Sequence, residues 1–203
     1  MELLKDYKMF FLDIQKRKQE FLENKNNKEK IFKELCFCIL TPQSKAVNCW
    51  QAVEELFDKG FPSCRPETIR CILRKKVRFY KNKTNYIIEV AKKFDIIYKM
   101  LKKDLQSDIL REILVREIKG IGYKEASHFL RNIGYSFDLA ILDRHILKNL
   151  KLLGVIKNLP KTLSKKEYLK IEKKFIEFSN KVKIPLVDID LLLWAKQTGF
   201  VFK

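Results

Sequence analysis

Hydrophobic residues recur along most of the chain at the spacing of an amphipathic helix, whereas alternating, strand-like stretches are scarce. One face of residues 82–101, for example, carries Tyr86, Val90, Phe94 and Ile97, and the opposite face is rich in lysine. Glycine and proline interrupt this pattern at intervals that leave room only for short connections. The pattern therefore predicts an all-α protein with roughly nine to eleven helices joined by short loops.

Single residues predict where several of these helices begin or end. Ser164 and Glu167 form the spacing of a capping box, which predicts a helix start at this point. Gly199 follows an apolar helical segment and suits a left-handed helix cap. Asp143 stands between an apolar stretch and a helix-like run that starts at Arg144, so its carboxylate is expected to cap that helix.

The charge of the chain favours a polyanionic partner. Of the 203 residues, 43 are lysine or arginine and 25 are aspartate or glutamate, which gives a net charge of +18. The excess is spread along the chain, so it describes a folded surface, and nucleic acid is the commonest partner of such a surface. A generally lysine-rich proteome is the alternative explanation.

The sequence predicts neither a membrane-spanning segment nor a metal site. No secretory leader opens the chain and no apolar run approaches the roughly 18 residues of a membrane span, so we expect an intracellular protein. The 5 cysteines lack the spacing of zinc or iron–sulfur sites, and Cys36 and Cys38 lie in an apolar run typical of a core. His128 and His145 are expected to pack or to contact phosphate. We therefore expect no metal.

A glycine pair marks the most informative local motif. Residues 119–122, KGIG, lie between helix-like segments 109–117 and 123–133 and predict a tight helix–helix turn. Backbone N–H groups at Gly120 and Gly122, beside a helix start, could bind a phosphate, and Lys119 adds positive charge. An ordinary turn between two helices is the alternative.

Lys124 is a candidate nucleophile in the first turn of the second hairpin helix. The helix dipole disfavours a cation at that end of a helix, so a structural lysine is better placed at the other end. An amine at this position can instead attack an electrophilic carbon. A fixed carboxylate such as Asp143 would stabilise the oxocarbenium-like charge of a reaction at a sugar. An ordinary exposed lysine and a helix cap remain the alternatives.

These motifs together resemble a known family. Residues 119–134 and 139–147, KGIGYKEASHFLRNIG and LAILDRHIL, are similar to the helix-hairpin-helix and aspartate signature of DNA base-excision glycosylases. The residues of these two segments are most similar to those of the 8-oxoguanine DNA glycosylase/AP lyases of archaea and some thermophilic bacteria, which lack an iron–sulfur cluster. Similar segments at 34–41, 78–83 and 191–203 extend the resemblance over most of the chain.

The resemblance implies an enzyme that flips 8-oxoguanine out of duplex DNA, excises it and nicks the strand. Lys124 matches the Schiff-base lysine and Asp143 the signature carboxylate. Phe79 and Trp194 match the aromatic pair that sandwiches the extruded base, and Lys203 matches the terminal residue that contacts it. The family acts without a cofactor, although backbone carbonyls of the hairpin could hold a monovalent cation.

The resemblance also implies the arrangement of these residues. We predict a two-lobed helix-hairpin-helix glycosylase fold with the active-site cleft between the lobes. Residues 29–130 would form the central lobe, ending in the hairpin, and residues 1–28 with 131–203 would form the other. The protein is expected to bind DNA as a monomer, with Lys119, Gly120, Gly122 and Arg144 among the DNA contacts.

One segment departs from the pattern. The sequence LTPQSKA at 40–46 is more similar to the wider superfamily, where a glutamine fills the gap left by the extruded base, so Gln43 is a candidate plug. Three alternatives therefore stay open: a glycosylase for oxidised pyrimidines or another base, a non-catalytic helix-hairpin-helix DNA-binding module, and a helical scaffold for an acidic protein.

Overall fold

A computed structural model of the chain describes residues 2–203, and in that range it contains ten α-helices and no strand. The helices are α1 (Glu2–Asn24), α2 (Lys28–Leu40), α3 (Ala46–Asp58), α4 (Pro66–Lys76), α5 (Tyr80–Leu101), α6 (Ser107–Glu117), α7 (Tyr123–Asn132), α8 (Arg144–Leu152), α9 (Lys165–Val182) and α10 (Leu186–Thr198). The predicted all-α class is confirmed. No helix within residues 2–203 combines the length and apolarity needed to cross a membrane.

The predicted helix ends are confirmed by their hydrogen bonds. Ser164 Oγ accepts from Glu167 N at 3.3 Å where α9 begins, and Asp143 Oδ1 accepts from Ile146 N at 2.7 Å where α8 begins. Gly199 ends α10 in the left-handed conformation, with φ of 84°. These caps satisfy backbone groups that helix ends otherwise leave without partners.

The helices divide between two compact units, one of residues Asn24–Phe129 and one of residues up to Glu23 with Leu130–Lys203. In the Asn24–Phe129 unit, α5 packs against α2 and α4, and α3 packs against the same two helices. The Phe32 ring stacks on Phe61 and Phe94 with centroids 5.5 and 4.3 Å apart, so aromatic contacts hold this core together.

The second unit joins the two ends of the chain. Its core cluster consists of Ile14, Phe21, Val187, Leu191 and Leu192. Asp188, which is fully buried, accepts hydrogen bonds from Tyr7 Oη at 2.6 Å and Gln15 Nε2 at 2.9 Å and pairs with Lys18. Burial, together with the hydrogen bond to this carboxylate, raises the pKa of Tyr7. A buried carboxylate satisfied by three partners therefore anchors α1 to α10.

Gly134 is required where the chain leaves α7. Its φ is +67°, and an added Cβ would lie 2.6 Å from the Phe21 carbonyl oxygen and 2.8 Å from Leu22 Cα. We expect Gly134→Ala to lower the free energy of unfolding by more than about 2 kcal/mol, because backbone atoms cannot swing aside as a side-chain tip can. Urea denaturation measures this loss.

Gly154 supplies the matched control for Gly134. It has a similar φ of +73°, but nothing lies within 4 Å of the position that a methyl group would take there. Gly154→Ala should therefore cost only the conformational strain, about 1 kcal/mol. Equal losses at the two positions would contradict the steric argument for Gly134.

Candidate active site and DNA interface

The helix hairpin forms as the glycine pair predicts. α6 ends at Glu117 and α7 begins at Tyr123, and the first bond of the new helix runs from Ala126 N to Gly122 O at 2.9 Å. Gly120 has φ of +86°, and a Cβ there would lie 2.6 Å from Cδ2 of the Tyr86 ring. Glycine at 120 is thus required by the fold itself, and the predicted phosphate contact stays a prediction.

Glu125 organises the start of α7, and its role was not among the sequence-based predictions. Its Oε2 accepts a hydrogen bond from Gly122 N at 3.2 Å, and its Oε1 lies 3.4 Å from Lys124 Nζ. A glutamate at the third helical position that accepts from the backbone N–H of the N-cap residue forms half of a capping box. The three-residue spacing from Gly122 to Glu125 could therefore have revealed this role in the sequence. A phosphate at the Gly122 amide would have to compete with this carboxylate.

Lys124 lies in the first turn of α7 with only 22% of its side chain exposed. Cys49 and Lys83, from α3 and α5, are close enough to interact with it electrostatically. Burial raises the pKa of the Cys49 thiol to about 11, against the opposing effect of the two lysines. The amine therefore belongs to a partly buried cluster of titratable groups within the Asn24–Phe129 unit.

Lys119 is the exposed cation of the hairpin. Its Nζ lies 3.2 Å from Glu89 Oε2 on α5, and 69% of its side chain is exposed. Hydrogen bonds from Lys119 and Lys93 lower the pKa of Glu89. Because an exposed ion pair contributes little to stability, Lys119 can leave Glu89 for a phosphate at small cost.

Gln43 and Phe79 both adopt left-handed backbone conformations, with φ of 55° and 56°. Such conformations cost residues other than glycine on the order of 1–3 kcal/mol and often occur at functional sites. Gln43 is exposed, and Phe79 is 53% exposed with the Arg78 guanidinium 5.6 Å from its ring centroid. A large aromatic ring in solvent is available to stack on a base.

Asp143 and Trp194 belong to the other unit. Asp143 is half-buried at the N-terminus of α8, and Arg144 beside it is exposed. The His145 ring meets Trp194 edge to face, with centroids 5.6 Å apart. Trp194 is also half-buried, and its buried Nε1 has no hydrogen-bond partner among residues 2–203. The helix α8 thus brings Asp143 and Arg144 near the predicted base-stacking tryptophan.

Lys203 and His128 differ in their exposure to solvent. Lys203 is partly exposed. His128 is buried, and its ring packs edge to face on Phe37 at 5.5 Å, so it is a packing residue as expected. Within the described range no group of three or more His, Cys, Asp or Glu side chains could hold a metal ion. Because Lys124 and Asp143 lie in different units, the cleft predicted to hold both stays a prediction.

Comparison with known proteins extends over the whole chain. Residues 14–184 match the family model described as 8-oxoguanine DNA glycosylase. The chain is 46% identical over 211 residues to an 8-oxoguanine DNA glycosylase/AP lyase of Fusobacterium nucleatum, covering 100% of this chain and 96% of the relative. It is 43% identical to the enzyme of the same name from Methanocaldococcus jannaschii, covering 94% of this chain and 91% of that one.

Solved structures agree with the sequence matches. The M. jannaschii 8-oxoguanine glycosylase/lyase, crystallised in complex with a 15-mer DNA containing 8-oxoguanine, superposes with a TM-score of 0.89 at 40% identity over 100% of both chains. The 8-oxoguanine DNA glycosylase of Thermotoga maritima superposes with a TM-score of 0.90 at 36% identity, covering 100% of this chain and 97% of that one. The resemblance seen in the hairpin and aspartate motifs is confirmed, and the chain belongs to the helix-hairpin-helix 8-oxoguanine DNA glycosylase family.

Proposed function

We propose that this protein is a bifunctional DNA glycosylase/AP lyase that removes 8-oxoguanine from DNA and nicks the strand. The observation that carries this function is similarity over the full chain to enzymes named for both activities. The family match also disfavours the open alternatives of a non-catalytic DNA-binding module and a scaffold. Duplex DNA with the lesion is the substrate, and a single copy of the protein acts on it.

Lys124 performs the covalent chemistry. Its amine attacks C1′ of the damaged nucleotide, the bond from C1′ to N9 breaks, and the base leaves with the electron pair and takes up a proton. Opening of the sugar ring gives a Schiff base between Lys124 and C1′. Loss of a proton from C2′ then expels the 3′ phosphate by β-elimination, and water hydrolyses the Schiff base to free the lysine.

Asp143 supplies a fixed negative charge for this reaction. Its carboxylate is held by the 2.7 Å hydrogen bond from Ile146 N, so it cannot reorient freely as charge develops. A preorganised carboxylate stabilises the positive charge that grows on the sugar as the base departs. The chemistry uses protein groups and water, and a monovalent cation on the hairpin carbonyls would act on phosphate binding alone.

Binding of the DNA relies on charge and on stacking. The net charge of +18 favours association with the phosphate backbone, and the hairpin with Lys119, Gly120 and Gly122 would hold one phosphate in register. Arg144 would contact a second phosphate. Phe79 and Trp194 would stack on the two faces of the extruded base. Such stacking contributes about 1–3 kcal/mol per base and offsets part of the energy lost when the base leaves the duplex stack.

Borohydride trapping on a duplex with one 8-oxoguanine tests the function. Reduction of the Schiff base joins protein and DNA irreversibly, so a band of the summed mass is expected together with a nicked strand. A parallel duplex with an oxidised pyrimidine should give far less adduct. Absence of an adduct on both the 8-oxoguanine and an abasic duplex would overturn the lyase assignment, and preference for the pyrimidine would overturn the substrate.

Lys203 should affect base excision more than strand nicking. The resemblance assigns it to contact with the base, and an abasic site offers no base to contact. We expect removal of Lys203 to lower 8-oxoguanine excision by about tenfold or more, the effect of losing a charge-assisted hydrogen bond, and to leave abasic-site nicking nearly unchanged. Single-turnover rates on the two substrates measure this, and equal losses would refute a recognition role.

A further inference from the structure

Lys83 is a buried lysine that the proposed chemistry does not use. It lies in the first turn of α5, and only 4% of the residue is exposed. Its Nζ donates hydrogen bonds to Leu40 O at 2.7 Å, Pro42 O at 2.8 Å and Ser44 Oγ at 2.9 Å. Burying a lysine is unfavourable unless its protons are satisfied, and here three acceptors satisfy them.

All three acceptors surround the candidate plug. Leu40 is the last residue of α2, and Pro42 and Ser44 flank Gln43 on either side. Cys49 Sγ donates to the same Leu40 carbonyl at 3.1 Å, which fixes this oxygen further. The ammonium group therefore holds the turn that keeps Gln43 in its left-handed conformation.

Ser44 connects this turn to Phe79. Its Oγ also accepts a hydrogen bond from the backbone N of Arg78 at 3.0 Å, and Arg78 directly precedes Phe79. One hydroxyl thus receives hydrogen bonds from Lys83 and from the segment that carries the second left-handed residue. A left-handed conformation outside glycine persists only where the surroundings hold it, and the same contacts hold both residues.

We propose that Lys83 is a positioning residue for base extrusion, which sets Gln43 and Phe79 in mutual register through Ser44. The inference rests on the proposed function, in which Gln43 fills the gap in the duplex and Phe79 stacks on the base taken from it. Extrusion needs the two side chains at a fixed separation, because one fills the gap that the base leaves in the duplex while the other stacks on the same base in its extruded position. A single anchored lysine provides that fixed separation.

The charge of Lys83 is sensitive to pH near neutrality. Burial lowers the pKa of Lys83 to about 8; Cys49 and Glu125 raise it, and Lys124 and Arg78 lower it further. Below pH 8 the ammonium donates three protons to three acceptors, whereas the neutral amine above that pH has only two to donate. The ratio of 8-oxoguanine excision to abasic-site nicking should therefore fall as the pH rises through 8.

Lys83→Met removes the ammonium and keeps the length of the side chain, and single-turnover kinetics on two substrates test its effect. Because Lys83 also interacts electrostatically with Lys124, the readout is the ratio of the two rates. Excision of 8-oxoguanine should fall by about ten- to hundredfold more than abasic-site nicking, as for loss of a charge-assisted hydrogen bond. The fluorescence increase of a 2-aminopurine placed next to the lesion should slow by the same factor as excision. The step in the pH profile of the ratio should be absent.

Ser44→Ala keeps Lys83 in place and removes only the shared hydroxyl, so it tests the same link if Lys83→Met does not fold. It should reproduce the selective loss of excision. The matched control is Lys81→Met, an exposed lysine on the same helix turn, which should change excision and nicking by equal factors through charge alone.

The outcomes separate this inference from the proposed function. If the parent protein does not excise 8-oxoguanine, the proposed function fails. Suppose instead that the parent excises 8-oxoguanine, and that Lys83→Met and Ser44→Ala either lower excision and nicking by the same factor or leave both rates unchanged. The positioning role is then overturned while the function stands. Loss of the trapped adduct in Lys83→Met would assign Lys83 to the chemistry and would also overturn the positioning role.

Discussion

Lys124→Gln is expected to abolish the adduct that borohydride traps and to lower 8-oxoguanine excision by about a thousandfold or more, as for loss of a covalent nucleophile. Glutamine is polar and only one atom shorter than lysine, but its amide cannot form a Schiff base. The start of α7 is held by the hydrogen bond from Gly122 N to Glu125 Oε2, which does not involve Lys124, so the substitution should leave it intact. Denaturing gels after reduction and single-turnover excision measure the two effects.

Lys119→Gln controls for charge on the same hairpin. This variant loses an exposed cation that pairs with Glu89 and should raise the protein concentration needed for trapping, but the adduct should still form. Persistence of the adduct in Lys124→Gln would mean that another amine is the nucleophile. Lys83 would then be the first residue to test, because it is the other lysine of the same cluster.

Asp143→Asn should lower excision by about a hundred- to a thousandfold, the usual effect of removing one preorganised electrostatic group. Asparagine caps a helix about as well as aspartate, so the α8 start and the free energy of unfolding should be nearly unchanged. The loss of rate would then report the carboxylate charge alone. Excision kinetics with urea denaturation of the same samples separate the two effects.

Two further variants isolate the cap from the charge. Asp143→Ala removes both and should also cost about 1 kcal/mol of stability. Ser164→Ala removes the corresponding cap from α9, where Oγ accepts from Glu167 N, and should cost stability without a loss of excision. Full activity in Asp143→Asn would leave Asp143 with a purely structural role.

The helical class and the caps were predictable because they depend on residues within one turn of each other. Each of these contacts spans only three positions of the chain, so both partners can be read from a short stretch of sequence. The pairs are Ser164 with Glu167, Asp143 with Ile146, and Gly122 with Glu125. Glu125 obeys the same local rule and could have been found from its spacing to Gly122.

The structural requirement for glycine at position 120 was only partly predictable. Its positive φ follows from a tight turn between helices, but the close approach of the Tyr86 ring depends on how α5 packs against the hairpin. The sequence interpretation assigned the glycine to an approaching phosphate, whereas the fold supplies its own reason. Both requirements can hold at once, since the ring and a ligand need not occupy the same side of the backbone.

The sequence by itself determined the all-α class, the hairpin, the cap at Asp143 and the family, because these follow from periodicity, from local hydrogen bonds and from motifs of adjacent residues. Only the tertiary structure decided which distant groups meet. Lys83 reaches the Leu40 carbonyl across 43 positions, and Tyr7 reaches Asp188 across 181. Buried polar groups must find partners wherever packing supplies them, and packing is a property of the folded chain.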